Sequence, residues 1–343
     1  MNSVADSSDR AIARWLLVVA TLVFAMVVLG GVTRLTRSGL SIVEWKPVVG
    51  AIPPLSQSDW NTEFEKYQQT PEYKNVNTGM SLGEFQRIYY VEWAHRLLGR
   101  VIALAVVLPL AYFALRRRIS IALACKLAAV FCLGAAQGAL GWYMVSSGLI
   151  DVPRVSPYRL TAHLALAVAI YGCLVWMALD LIASRASMQF SASLTRTSKI
   201  MAALVFLVMI AGGFVAGTRA GFVFNTFPSM NGQFMPPGLY AGTPWWADIF
   251  ENVATVQFHH RLLAYALLIA AFFYWRLARK SALPARLLRG FDLFLAAVVG
   301  QALLGVATLL WIVPVPLAAA HQAGALVVFT LAIYLTRRLR YSR

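Results

Sequence analysis

The sequence predicts an all-α integral membrane protein, with eight transmembrane helices arranged as two parallel-repeat four-helix bundles. Three observations carry this reading: eight long apolar stretches, a basic cluster at every second connection, and motifs of the first half that recur in the second. Of 343 residues, 59% are hydrophobic and 13% charged, and the mean hydropathy is +0.67. A soluble core could not bury that much apolar surface, so the solvent of this chain is a bilayer.

A helix crosses the hydrocarbon with about 20 mostly apolar residues. The first such stretch, 13–33, is too long for the apolar region of a signal peptide, and no small-x-small cleavage site closes it before Arg34; it is expected to remain as an anchor. Residues 34–90 follow as a long outer connection with six basic and six acidic residues, read as an ordered loop with one or two short amphipathic helices. The remaining spans are read at 91–115, 121–145, 159–183, 199–217, 257–278, 287–312 and 317–336, with a second long outer connection at 218–256.

Lys and Arg set the orientation. Arg10 and Arg14, Arg116 to Arg118, Arg185 with Arg196 and Lys199, Arg276 through Arg289, and Arg337 through Arg343 fall on alternate connections. Those segments, both termini included, are expected in the cytoplasm, and the net charge of +16 reads as this signal plus attraction to anionic membrane lipid rather than to nucleic acid. No targeting peptide precedes Trp15, which favours a cell inner membrane.

The chain reads as an internal duplication. GGVTRLTRSGL at 30–40 aligns with GGFVAGTRAGF at 212–222, VEWAHRLLGR at 91–100 with VQFHHRLLAY at 256–265, and Gln137–Gly141 with Gln301–Gly305. Because four spans are an even number, the second copy re-enters in the same orientation, giving halves 1–184 and 199–343 joined by a linker at 185–198.

Four of the five histidines occupy matching positions: His95 and His163, then His260 and His321. Each pair falls near the outer ends of two helices running the same way, at similar depth, where two imidazoles can hold a haem iron from both sides. A lone intramembrane histidine reads more simply as a packed hydrogen-bonding residue or a proton relay; the duplication of the pair points to ligation. His259, about 100° round the helix from His260, reads as a neighbour of the site or a residue of the lipid interface.

Arg37 with Arg219, and Arg96 with Arg261, supported by Arg34 and Arg100, lie where the propionates of a haem would emerge. Snorkelling to the interface is the alternative. Gly30, Gly31, Gly138, Gly141, Gly212, Gly213 and Gly305 could let a flat macrocycle approach the backbone, or could serve ordinary helix contacts. Cys125, Cys132 and Cys173 are expected to be buried small apolar packers. Glu92 shares a helix face with His95 at a spacing of three residues, where the second half has Gln257, which cannot take a proton. Proton transfer at Glu92 and a plain hydrogen bond to His95 or Arg96 are both open.

With these motifs in view, the chain closely resembles the haem A synthases over nearly its full length, above all in GGVTRLTRSGLS, E-W-A-H-R with its H-H-R partner, and the two later histidines. The resemblance implies an oxidoreductase of cytochrome oxidase assembly that converts the C8 methyl group of haem O to a formyl group. It implies a haem b cofactor on His260 and His321, substrate haem O near His95 and His163, and a catalytic role for Glu92. It also implies haem sites toward the outer side, delivery of haem O by a haem O synthase, and an unidentified electron-transfer partner; a homo-oligomer stays open. Some bacterial members carry a cysteine pair in the first outer loop, which is absent from 34–90; the chain therefore resembles the branch shared by alphaproteobacteria and mitochondria. The competing readings are a non-enzymatic diheme electron-transfer cytochrome, which needs the same histidines, and a transporter with histidines as proton sites.

Overall fold

The computed structural model describes residues 2–46, 49–149, 155–182 and 191–340. Among these, eleven α-helices and no strands form the protein. Eight helices are long and apolar enough to cross a membrane: α1 (Asn2–Leu35), α4 (Leu82–Leu115), α5 (Ile121–Gly148), α6 (Pro157–Ile182), α7 (Ala192–Thr218), α9 (Val253–Arg279), α10 (Ala285–Leu310) and α11 (Val315–Leu339). Three short helices belong to the two long connections: α2 (Gln57–Gln68), α3 (Pro71–Asn75) and α8 (Trp245–Glu251).

The eight spans match the apolar stretches, but several run beyond them for local reasons. Helix α4 starts at Leu82, nine residues ahead of the apolar run, because Ser81 and Glu84 form a capping box that satisfies its first amides. Helix α7 starts at Ala192 on a Ser191 cap, inside the segment read as linker; the first part of that segment, with Arg185, lies outside the described residues, as does Arg343. Asn252 ends α8 and caps α9 by accepting hydrogen bonds from the amides of Ala254 and Thr255.

The helices of each half form a ring, α1, α4, α5, α6 and α7, α9, α10, α11, and the halves meet through α1, α6, α7 and α11. Apolar packing in lipid has no water to expel, so these helices rely on close fit and on hydrogen bonds. Gly172 of α6 admits Phe329 and Ile333 of α11, and the Tyr171 and Thr330 hydroxyls lie 2.6 Å apart across the same seam. Buried Arg337 of α11 pairs with Asp180 of α6. The rings differ in one respect: α9 and α10 pack side by side, whereas α4 and α5 barely touch.

The first outer connection folds against the projecting start of α4. Ile42, Trp60, Tyr67, Phe85 and Tyr89 make a small core of their own, with Tyr67 stacked on Phe85 at 5.1 Å and Trp60 edge-on to Tyr89 at 5.0 Å. The three cysteines are not packed inside; Cys125, Cys132 and Cys173 lie exposed on outer helix surfaces, where the solvent is lipid and a small apolar thiol is tolerated without burial.

Phe85, fully buried, is the pivot of the outer core. Phe85→Ala is expected to cost about 3–5 kcal/mol and to lower the unfolding midpoint in detergent, while the same change at exposed Leu108 leaves it nearly unmoved; equal effects would refute the assignment.

Candidate functional site

Each half brings its two histidines together from two helices. His95 of α4 and His163 of α6 lie within electrostatic reach of one another, as do His260 of α9 and His321 of α11. Every ring rests on a glycine of a third or fourth helix. A methyl group added at Gly30 would sit 3.2 Å from His95 Nε2, at Gly141 2.9 Å from His163 Cε1, at Gly212 3.3 Å from His260 Cε1, and at Gly305 2.7 Å from His321 Cε1. The last two of the sequence motifs, Gln137–Gly141 and Gln301–Gly305, thus supply equivalent seats. The second glycine of each pair looks the other way: Gly31 faces Gln322 of α11 and Gly213 faces Thr161 of α6, so the paired glycines admit an imidazole on one side and the opposite half on the other.

The donor set fits a haem. Two imidazoles per bundle, none belonging to a cluster of three or more metal-ligating residues among the described ones, is the set for axial ligation of a macrocycle that already supplies four nitrogens. His163 Nδ1 is buried without a partner, and all four residues keep partly accessible surface.

The helices carrying Arg37 and Arg219 end identically. Both residues adopt left-handed backbone, with φ of 55° and 61°, and Thr36 and Thr218 each return a hydroxyl hydrogen bond four residues back, to Val32 and Phe214. Arg37 is exposed and Arg219 partly so. Arg34 reaches across the seam, donating to the Ala216 carbonyl at 2.9 Å.

Arg96 and Arg261 are engaged otherwise. Arg96 binds Glu92 through Nε and Nη2 at 3.1 and 2.7 Å, and donates to the carbonyls of Glu44 and Ile42. Arg261 donates to the carbonyls of Phe224, Thr226 and Ser229. Each arginine fastens an outer loop to its helix.

The same loops explain why one half has an acid and the other an amide. Glu92, 2% exposed, accepts from Ser41 Oγ at 2.7 Å and from the Ile42 amide at 2.8 Å, besides Arg96. Its loop presents donors. Gln257 instead donates through Nε2 to the carbonyls of Ala220 and Phe224 at 3.1 and 3.3 Å. Its loop presents acceptors, which a carboxylate could not bind. Of the two roles open for Glu92, the hydrogen bond to Arg96 is present, and no hydrogen bond joins Glu92 to His95 among those of the described residues. His259 hydrogen-bonds the Tyr240 hydroxyl at 2.7 Å, beside the pair rather than in it.

The family of cytochrome oxidase assembly proteins matches residues 13–333. The chain belongs to this family. A protein named Heme A synthase from Nitrosospira multiformis is 52% identical over 335 residues, 97% of this chain and 94% of the relative. Another of that name, from Parvibaculum lavamentivorans, is 51% identical over 97% of this chain and 96% of its own length, and one from a Bradyrhizobium species is 45% identical over 99% and 94%.

For this cytochrome oxidase assembly protein, one further residue emerges that the sequence reading passed over. Glu72 of α3 is 5% exposed and lies in the field of Arg37, Glu92, Arg219 and Arg34, at the junction of the halves. It was one of six acids in a charge-balanced loop, with no spacing to single it out. Burial pushes its carboxyl up from 4.5 to about 7, against the opposing pull of Arg37. The folded state therefore holds a proton that the unfolded chain releases, so this group stabilises the fold below about pH 4.5 and the contribution is lost as pH rises to about 7. Glu72→Gln should remove that decline: its unfolding midpoint in detergent should drop less than that of wild type between about pH 5 and about pH 8, and parallel profiles would count against the assignment.

Proposed function

We propose that the chain acts as a haem A synthase, an oxidoreductase that converts the C8 methyl group of haem O to a formyl group through hydroxylated intermediates, for cytochrome oxidase assembly. The observation that carries this reading is the presence of two glycine-backed histidine pairs in a chain about half identical, along nearly its whole length, to proteins named Heme A synthase.

The halves divide the work. His260 and His321 would hold haem b, which when bound supplies electron transfer. His95 and His163 would receive haem O. The looser α4–α5 side of the first bundle supports a site that exchanges its occupant, and the closed α9–α10 side supports one that does not. Arg37 and Arg219 would meet the propionates, and Arg96 and Arg261 hold the loops that follow them. Glu92 is assigned to the catalytic half: its two oxygens each accept two hydrogen bonds, which tie the segment at Ser41 and Ile42 to α4. The outer connections contain no cysteine, so electrons would leave by a partner other than a thiol of this chain. Both termini are placed in the cytoplasm and the haem sites toward the outer face of an inner membrane, with haem O handed over by the synthase that makes it.

In cells supplied with haem O, His260→Ala or His321→Ala should remove the resident haem b from purified protein. Glu92→Gln should retain haem b and accumulate haem O or a hydroxylated form instead of haem A, as read by chromatography of extracted haems. Equal loss from both kinds of variant overturns the division. Absence of haem A even with wild type, with intact bis-histidine spectra, would favour the diheme cytochrome. Gly305→Ala should lower haem b content, whereas Gly138→Ala, which meets open space, should not; similar content in both would count against the seat.

A further inference from the structure

Arg159 of α6 stands one helical turn before His163, on the same helix face. Its neighbour Tyr158 ties the start of α6 to the second half, donating its hydroxyl to Glu251 of α8 at 2.8 Å and lying edge-on to Phe214 of α7 at 5.8 Å. Arg159 turns the other way, toward α5. Its Nη2 donates to the Tyr143 hydroxyl at 3.1 Å, and the guanidinium carbon lies 4.4 Å from the centre of the Tyr143 ring. Tyr143 follows closely on Gly141, the glycine that seats His163. The pair therefore joins the same two helices that bring His163 to its seat.

The second half has no such pair. In the registers that match His163 with His321 and Gly141 with Gly305, the corresponding residues are Leu317 and Ala307, and neither side chain carries a polar atom. Arg37, Arg96 and the glycine seats recur in both halves, so this pair belongs with what distinguishes the two sites. An arginine presents five N–H donors in a planar fork. Among the described residues Arg159 makes this one hydrogen bond and no ion pair, and it stays partly accessible. The ring beneath it sets the plane of the fork, and the donors that Tyr143 does not use can take a carboxylate.

Resting on the assignment of substrate haem O to the first half, we propose that Arg159, held by Tyr143, binds a propionate carboxylate of that haem. A rise of about 6 Å along α6 separates Arg159 from His163, a distance that the propionate arm of a haem held at His163 and the arginine side chain span together. The C8 methyl group shares a pyrrole ring with one propionate. Holding the carboxylates therefore stops the macrocycle from turning about its iron and fixes which methyl group is presented for oxidation. Arg159 is in this sense a residue of substrate binding and orientation, present in the half that receives haem O and absent from the other.

The test titrates haem b-loaded protein in detergent with ferric haem O and, separately, with its propionate dimethyl ester, following binding by Soret absorbance. Arg159→Leu should weaken haem O binding about 10- to 100-fold and leave ester binding near the wild-type value. Arg159→Lys, which keeps the charge without the fork, should fall between; it also carries the comparison if the Leu variant loses haem b. Tyr143→Phe retains the ring under the guanidinium and should weaken haem O binding less than Tyr143→Ala. Arg87→Leu, which removes an exposed arginine, should leave both affinities unmoved. Equal weakening of acid and ester in Arg159→Leu would assign the residue to holding α5 on α6, and unchanged affinities would leave it at the lipid interface; either result overturns the propionate contact while haem O stays assigned to the first half. Undiminished binding of haem O after His163→Ala, with no haem A made by cells carrying wild type, overturns that assignment and the contact together.

Discussion

The architecture depends on the close approach of four imidazoles to four glycines. A histidine side chain entering the space between helices of a tight bundle meets the backbone of a neighbour at a distance that a methyl group would close. Because the helices must also stay near enough to hydrogen-bond across lipid, the ring can enter only where the facing residue has no side chain. Gly30, Gly141, Gly212 and Gly305 meet that condition, and Gly31 and Gly213, the partners of the first and third, face the opposite half.

From this shared frame the halves diverge through small chemical changes. An acid is tolerated at 92 because Ser41, the Ile42 amide and Arg96 converge on it; a carboxylate buried without them would be costly. An amide suffices at 257 because the opposite loop turns its carbonyls inward. The Glu–Gln difference is thus first a difference in the polarity of the loop backbone, with N–H and O–H donors facing Glu92 and carbonyls facing Gln257.

Charge is concentrated at the ends of the bundle. At one end Arg34, Arg37 and Arg219 lie within electrostatic reach of buried Glu72, and at the other Arg337 and Asp180 tie α6 to α11. Between them the seam combines close fit, as at Gly172, with uncharged hydrogen bonds such as Tyr171 to Thr330 and Gln322 to the Val27 carbonyl. The ends therefore carry the charged contacts, while the middle supplies close fit and uncharged hydrogen bonds.

Much of this was legible in the amino-acid sequence. The eight spans, the duplicated motifs, the four matched histidines and the short helices of the first outer connection follow from apolar run length, periodicity and repetition, which are properties of local sequence. The extension of α4 to Leu82 was in principle readable from the Ser81–Glu84 capping signature but was hidden behind the polar composition of the segment. What Arg96 and Arg261 bind, that the cysteines face outward, and that Glu72 is buried among arginines were decided by tertiary structure alone. These depend on which side of a helix meets which neighbour, and on whether a loop offers its N–H or its C=O groups, and neither is encoded in the spacing of residues along one segment.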